Sequence, residues 1–299
     1  MEKKIFAAML FVAAIAFVAC NKNNATPETP TVVPTGDPIG DKTVQEAVMG
    51  DYLMSDGSIL NQETELTADL ASKIVGLVFY AGHHKDDLSD YSTSGIGQKN
   101  CHGYAVALTN VHNDDVDRIY WAYNGGMYGL TVGTGDSSSS NWNWNGYYNS
   151  RKFHECVKNY DAWEMDDFRA AHACETYGNR TIDQWGDRTT AYEWQKPLTA
   201  PSSTSGWFLP SIGQLERLLE NRITRNTLVP LITTVQSSLP DGCAYKDKVQ
   251  YFDLEGTIYW ASTESDASNA FGVYLENSGV YARPYTKSER FSVRAVLAF

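Results

Sequence analysis

The stretch between Ser265 and Arg290 is rich in residue types that are typical of ligand-binding surfaces. Tyrosine rings supply rigid contact area with a polar end, and small polar side chains supply adaptable hydrogen bonds. The candidate ligand-binding residues here are Asp266, Ser268, Asn269, Tyr274, Glu276, Asn277, Tyr281, Arg283 and Tyr285, with Lys287 beside them. The alternative, which the sequence leaves open, is a hydrophilic hairpin that binds nothing.

A second candidate site contains two tryptophans separated by one residue, Trp142 and Trp144, followed by Tyr147 and Tyr148. In an extended strand alternate side chains share a face, so the two indole rings would form a stacking platform for a sugar ring or an apolar partner. The alternative is that both rings are buried beneath the long Gly- and Ser-rich segment of residues 131–149.

Four cysteines follow Cys20, namely Cys101, Cys156, Cys174 and Cys243. An even number of cysteines in an exported chain permits two disulfides, and three pairings are possible. Cys156 with Cys174 is the first choice because these two are closest in sequence, which leaves Cys101 with Cys243. Four buried thiols are the alternative, because a domain of this size does not need disulfides.

The chain shows no motif of a catalytic or metal site. The acidic clusters at residues 86–90 and 114–117 lack the spacing and the glycine of a calcium-binding EF-hand, so solvated acidic turns are favoured. The histidines lack the spacing of zinc ligands, and there is no nucleophile elbow and no phosphate-binding loop. We therefore expect no metal, no cofactor and no catalysis.

The N-terminus has the pattern of a bacterial export leader. Lys3 and Lys4 precede an uncharged, mostly apolar run from Ile5 to Val18, which is followed by Ala19 and Cys20. Residues 17–20 resemble a lipobox, which predicts a signal peptide over residues 1–19 and lipidation of Cys20. Acyl chains on this cysteine would hold the protein at a membrane, and an outer-membrane, surface-exposed location is expected. The alternative is an ordinary secretory leader.

Residues 20–49 are predicted to be a tether, because Pro27, Pro30, Pro34 and Pro38 remove backbone donors and restrict φ. The globular domain is predicted to span residues 50–299. The formal net charge of the chain is −12, and removal of Glu2, Lys3 and Lys4 with the leader makes it about −13. This charge makes nucleic acid and anionic lipid poor partners, and no nucleic acid is expected to bind.

Short β-rich runs separated by turn residues dominate the domain. The predicted strands are Ile74–Tyr80, Gly103–Leu108, Arg118–Tyr123, Thr257–Ala261, Ala270–Leu275, Gly279–Arg283 and Phe291–Phe299. A capping box of Ser211 and Gln214 predicts a helix from Ser211 to Asn221. Two further helices are predicted over Asp161–Thr176 and after Arg225 until Ser238. The predicted class is α+β, with twisted antiparallel strands, two or three helices and long ordered loops.

Several separated motifs follow one another in the C-terminal part. They are GWFLPS at residues 206–211, QL at 214–215, YWASTE at 259–264, NA at 269–270 and VRAVLAF at 293–299. This run resembles a domain family first described as a domain of unknown function and found at the C-terminus of a Legionella collagen-like adhesin. Weaker similarity to lipoproteins of Bacteroides-like bacteria extends upstream to residue 50.

The resemblance implies a C-type-lectin-like fold, related to sulfatase-modifying enzymes and to the variable proteins of diversity-generating retroelements. In those variable proteins the stretch corresponding to residues 265–290 is the ligand-binding surface. The related enzymes generate formylglycine with a cysteine pair near the C-terminal core, whereas this chain has no cysteine after Cys243. Trp207 and Trp260 are expected in the core, and Arg294 is expected to pair with a carboxylate such as Glu264.

We therefore expect a surface-exposed lipoprotein that binds an extracellular protein or glycan without catalysis, in the manner of an adhesin. The alternative is a structural subunit of a fimbria-like surface assembly. A third hypothesis is an enzyme of the formylglycine-generating type.

Overall fold

The computed structural model describes residues 37–111, 118–122, 144–159, 165–178, 189–219, 222–252, 256–276 and 279–299. The predicted leader, Cys20, Trp142 and Asn277 lie outside these ranges. None of the helices in them is both long enough and apolar enough to cross a membrane.

The first sheet has five antiparallel strands in the order β10–β4–β3–β1–β2. The strands are β1 (Tyr52–Met54), β2 (Ile59–Leu60), β3 (Ile74–Ala81), β4 (Gly103–Ala107) and β10 (Val296–Ala298). In β3 the first six residues, from Ile74 to Phe79, are all buried. A strand that is covered on both faces is apolar throughout rather than alternating, which explains why this run could be recognised in the sequence.

The second sheet has the order β5–β9–β6–β7–β8. Its strands are β5 (Arg118–Tyr120), β6 (Ile258–Glu264), β7 (Asn269–Glu276), β8 (Gly279–Thr286) and β9 (Arg290–Ser292). All pairs are antiparallel except β6 with β9, which are parallel. The strand β8 is at one edge of this sheet.

The helices are α1 (Ala68–Ala71), α2 (Gly146–Asn159), α3 (Arg169–Glu175), α4 (Ile212–Leu219) and α5 (Arg222–Ser238). The mixture of helices with mainly antiparallel strands confirms the α+β class. At the start of α4 the Ser211 N–H donates to Gln214 Oε1 at 2.9 Å, as the capping box predicts. Short 3-10 helices span Val44–Glu46, Met165–Asp167, Thr189–Leu198 and Lys246–Lys248.

The C-terminal run forms two strands and not the single strand predicted. β9 belongs to the second sheet and β10 to the first, and residues 293–295 cross between the sheets. At this crossing the buried Arg294 guanidinium donates to Asn110 Oδ1 and to three carbonyl oxygens, those of Ala107, Gln250 and Tyr251. The expected Arg294–Glu264 pair is therefore wrong, and Glu264 pairs instead with Lys287.

The folded region begins before residue 50, where the tether was expected to end. Ile39 N–H donates to Asp56 at 2.8 Å, and Lys42 pairs with Ile59 in an isolated bridge. Lys42 also forms an ion pair of 2.8 Å with the fully buried Asp51. A buried carboxylate needs such a partner, so the residues just before β1 are held against the first sheet.

The two tryptophans of the C-terminal motifs lie in the core, as expected. Trp207 is 3% exposed and Trp260 is fully buried. Each indole N–H donates to a backbone carbonyl, Trp207 to Leu198 at 2.9 Å and Trp260 to Ile119 at 2.8 Å. A buried indole usually finds such an acceptor, so these motif residues serve packing.

Candidate ligand-binding face

The β7–β8 hairpin places five of the predicted binding residues on one face of the second sheet, and one of them, Glu276, lies at the end of β7. Tyr274 is opposite Tyr281, Gly272 is opposite Arg283, and Ala270 is opposite Tyr285. Since side chains two residues apart in a strand point to the same side, Tyr274, Tyr281, Arg283 and Tyr285 share that side. We call these four residues the Tyr–Arg face.

The Arg283 guanidinium lies over two tyrosine rings of this face. Its Cζ is 5.7 Å from the Tyr274 ring centroid and 5.9 Å from that of Tyr281. The two rings are stacked, with centroids 5.8 Å apart and planes 28° from parallel. A cation within about 6 Å of a ring is attracted to it, so the rings hold the arginine head in place. Tyr274 is 5% exposed, whereas Arg283 is exposed.

The ring of the fourth residue, Tyr285, lies in space that is free because residue 272 is a glycine. A Cβ on Gly272 would lie 2.9 Å from Cδ2 of the Tyr285 ring and 2.5 Å from the Ile258 side chain. The Tyr285 ring also meets Phe291 edge-on, with centroids 4.9 Å apart. Burial raises the pKa of Tyr285, and the neighbouring Tyr274 acts in the same direction while Arg283 opposes it. The polar groups of the face are therefore close to one another.

The opposite side of the hairpin is apolar. Phe271, Val273 and Leu275 alternate with the face residues along β7, and Val280 and Ala282 do so along β8. Val273 is fully buried, and the other side chains are partly buried. The hairpin thus carries apolar side chains on one side and tyrosine and arginine side chains on the other.

Three other predicted residues, Asp266, Ser268 and Asn269, form the turn between β6 and β7. Asp266 Oδ1 accepts from the backbone N–H of Ser268 at 2.8 Å and of Asn269 at 3.0 Å. The Asn269 side chain donates to both Asp266 oxygens, and this hydrogen bond, followed by that of Ser268 N–H, lowers the pKa of Asp266. These side chains stabilise their own turn, which is the usual role of such residues. Glu276 is exposed at the opposite end of β7.

Lys287 follows β8 and is buried, which corrects its assignment to the binding surface. Its ammonium group pairs with the fully buried Glu264, donates to the Ala267 carbonyl at 3.1 Å and lies 5.0 Å from the Trp121 ring centroid. Burial lowers the pKa of Lys287, and its hydrogen bond to Glu264 opposes this shift. The pair ties the β6–β7 turn to the end of β8.

Trp144 is not an exposed platform, because it is 5% exposed and belongs to an aromatic cluster on the first sheet. The His84 ring stacks on it, with centroids 3.9 Å apart and planes 11° from parallel, and Tyr80 and Tyr104 lie at 4.9 and 5.3 Å. Burial lowers the pKa of His84. Trp144 is thus packed against the first sheet, and the Tyr–Arg face is on the second.

A buried polar network near the same cluster was not predicted from the sequence. Asp87 accepts from the hydroxyls of Tyr91 and Tyr104, each at 2.7 Å. Cys101 Sγ lies 3.5 Å from His83 Nδ1, and His83 Nε2 contacts the Asp87 carbonyl oxygen at 3.1 Å. Burial raises the pKa of the Cys101 thiol to about 12. The thiol is therefore protonated at neutral pH, and the arrangement does not activate it as a nucleophile.

The two disulfides considered in the sequence analysis are not formed, and no disulfide joins the cysteines of the described ranges. Cys101, Cys156 and Cys174 are buried, and Cys243 is partly exposed. Burial raises the pKa of both Cys156 and Cys174. Such cysteines behave as small apolar side chains, and a core of this size is stable without crosslinks.

No protein-family model matches this chain, and no curated protein sequence matches it. Among solved structures, its fold is similar to that of a fimbrial protein. That protein is from Bacteroides ovatus; the sequence identity is 19% and the TM-score is 0.54. The similarity covers 85% of this chain and 49% of the other, so this chain spans about half the length of the fimbrial protein. At this identity the comparison establishes similarity of fold alone.

Proposed function

We propose that this chain is a structural component of a fimbria-like assembly on a bacterial cell surface. The observation that carries the proposal is the fold similarity to the fimbrial protein, which extends over 85% of this chain. The leader-like N-terminus, the lipobox-like residues 17–20 and the four prolines that follow support an exported lipoprotein held at the outer membrane through Cys20. No catalytic step is part of this proposal.

Assembly can be tested by size-exclusion chromatography and electron microscopy of the chain without residues 1–19. A structural subunit should give a ladder of oligomers, and antibodies against it should label filaments sheared from the cells. In cells, Cys20→Ala should release these assemblies from the membrane fraction. A strictly monomeric protein that is missing from sheared filaments would contradict the proposal.

A second candidate function is ligand recognition by an adhesin-like module. It is favoured by the Tyr–Arg face, where an exposed arginine is held over tyrosine rings at the edge of a sheet. The expected ligand is an extracellular protein or glycan. This second candidate function includes the proposal that the domain has a C-type-lectin-like fold and belongs to the family that its C-terminal motifs resemble. The motifs at residues 206–211, 259–264 and 293–299 support this.

Recognition can be tested on arrays of glycans and host proteins with the wild-type chain and a variant in which Tyr274, Tyr281 and Tyr285 are all changed to Ala. Specific binding that the variant loses would support recognition through this face. Equal binding by both proteins would move the site elsewhere on the molecule. A matched control is Tyr148→Ala, since Tyr148 lies on α2 and is only partly buried.

A further inference from the structure

Arg283 is a positive charge without a negative partner among the described residues. Within the parts of the chain that the structure describes, its guanidinium forms no ion pair and no hydrogen bond, and its contacts are the rings of Tyr274 and Tyr281. The formal net charge of the chain is −12, so an unpaired exposed cation contrasts with the molecule around it. Planar guanidinium groups bind carboxylates through two parallel hydrogen bonds, and here the donors are free to do so.

The surroundings of Arg283 add stacking surface to this charge. Tyr281 and Tyr285 are partly exposed and flank the guanidinium along β8. Aromatic rings with a hydroxyl at one end combine an apolar surface with a polar end. A sugar ring has the same combination, because its C–H groups form an apolar side and its hydroxyls form a polar rim.

An acidic peptide that joins the sheet as an extra strand fits this site less well. Such binding depends on main-chain hydrogen bonds along the exposed edge of β8. Pro284 lies within this strand and has no N–H to donate. The proline therefore interrupts the edge next to Arg283.

A strongly charged polyanion is also disfavoured. Glu289 is exposed shortly after β8, and besides burial its charge contributes to the raised pKa of Tyr285, which is two residues from Arg283 on the same side of the strand. Charges within about 8 to 10 Å interact at physiological ionic strength, and the remainder of the chain adds to the repulsion. The site therefore suits a single negative charge on a ligand that is otherwise neutral.

We infer that the Tyr–Arg face binds glycans that end in a carboxylate-bearing sugar, a uronic or sialic acid. The Arg283 guanidinium binds the carboxylate, and the rings of Tyr281 and Tyr285 contact the sugar ring. This inference rests on the proposed recognition function and names its ligand class. Arg283 is the specificity-determining residue, because it separates acidic from neutral glycans.

The test uses the purified full-length chain and two matched pairs of probes, methyl glucuronoside with methyl glucoside and sialyllactose with lactose. Binding is followed by ligand-observed NMR and calorimetry. The acidic member of at least one pair should bind about tenfold or more tightly than its neutral counterpart. Arg283→Gln should reduce its affinity to the neutral level, and Arg283→Lys should restore only part of it.

The matched control is Arg290→Gln, which removes an equal charge from another exposed arginine stacked on a tyrosine. Arg290 lies on β9 of the same sheet, with its Cζ 4.5 Å from the Tyr120 ring centroid. This variant should bind within about twofold of wild type. Equal losses in both variants would overturn the inference, because they would indicate attraction by general charge.

Two other outcomes would also overturn it, and they separate the ligand class from the recognition function. If a neutral probe binds as well as its acidic partner, and Tyr281→Ala but not Arg283→Gln abolishes binding, the face recognises ligands without using the charge. If none of the four probes binds, the carboxylate inference fails. Recognition itself is then decided by whether the triple tyrosine variant loses a protein ligand on the array.

Discussion

At the scale of single residues, the buried charges of this protein each have a definite structural role. Arg294 donates hydrogen bonds to the carbonyl oxygen of Ala107 in β4 and to that of Tyr251, which precedes β6, and its guanidinium lies 4.8 Å from the Phe252 ring centroid. Lys287 and Glu264 neutralise one another beside Trp121. Because an unpaired charge is costly to bury, removal of one member of such an arrangement leaves its partners unsatisfied.

Arg294→Met should lower the free energy of unfolding by about 3 kcal/mol or more, because it leaves several buried carbonyl oxygens without a donor. Denaturant unfolding followed by circular dichroism measures this loss. Arg290→Met is the control, since Arg290 is exposed and removal of its contact with the Tyr120 ring should cost at most about 1 kcal/mol. A loss no larger than that of the control would show that Arg294 does not hold the sheets together.

At the scale of secondary-structure elements, the β7–β8 hairpin combines core packing with surface chemistry. Along β7 the residues Phe271, Val273 and Leu275 face one way, and Gly272 and Tyr274 face the other. The small residue at position 272 leaves room for the Tyr285 ring of the neighbouring strand. A change at this position therefore acts on the Tyr–Arg face without altering any of its four side chains.

Gly272→Ala should destabilise the protein by about 1 to 3 kcal/mol, because the new methyl group overlaps the Tyr285 ring and the Ile258 side chain. Thermal and denaturant unfolding measure the loss. In the double variant Gly272→Ala with Tyr285→Ala, the methyl group should cost less than it does when Tyr285 is present. Strictly additive effects of the two changes would argue against the ring contact.

At the scale of the whole molecule, buried tyrosines are distributed through the domain. Burial is the largest cause of a raised pKa for Tyr91, Tyr104, Tyr177, Tyr245 and Tyr251. Tyr91 and Tyr104 share Asp87 near the first sheet, and Tyr251 donates to the Leu218 carbonyl at 2.6 Å. The neutral form of these side chains is part of the folded state.

The domain should therefore lose stability in alkaline solution. Below about pH 10 these tyrosines are protonated in both the folded and the unfolded protein. Above about pH 10 they ionise in the unfolded chain, whereas the folded chain keeps their hydroxyl protons. Each such tyrosine should then lower the free energy of unfolding by up to about 1.4 kcal/mol per pH unit. Unfolding curves between about pH 8 and pH 11, read with tyrosinate absorbance, measure this slope.

The variant Tyr177→Phe should make the free energy of unfolding fall less steeply with pH, by the contribution of one tyrosine, since it removes a fully buried ionisable hydroxyl. Phe153→Leu should leave the slope unchanged, because Phe153 is a buried ring without an ionisable hydroxyl. Complete ionisation of the folded protein near pH 10 would contradict the prediction.

Several elements could be predicted from the sequence because their signal is local. The apolar run at Ile74 and the capping box of Ser211 and Gln214 identify β3 and α4 within one or two residues at their beginnings. α2 was missed, because Gly146, Asn149 and Ser150 are residue types of loops. It is stabilised by tertiary contacts, including Phe153 against Trp121 at 5.5 Å and the Asn149 side chain donating to Ser262 Oγ at 3.0 Å.

The sequence by itself determined the α+β class, most strands and the stretch that contains the Tyr–Arg face. These follow from patterns of neighbouring residues, which local backbone geometry converts directly into strands, turns and faces. Only the tertiary structure decided that Trp144 and Lys287 are buried, that the C-terminal run crosses between the sheets, and that Glu264 pairs with Lys287 and not with Arg294. Burial and charge pairing depend on which distant segments meet, and that is set by the packing of the whole chain.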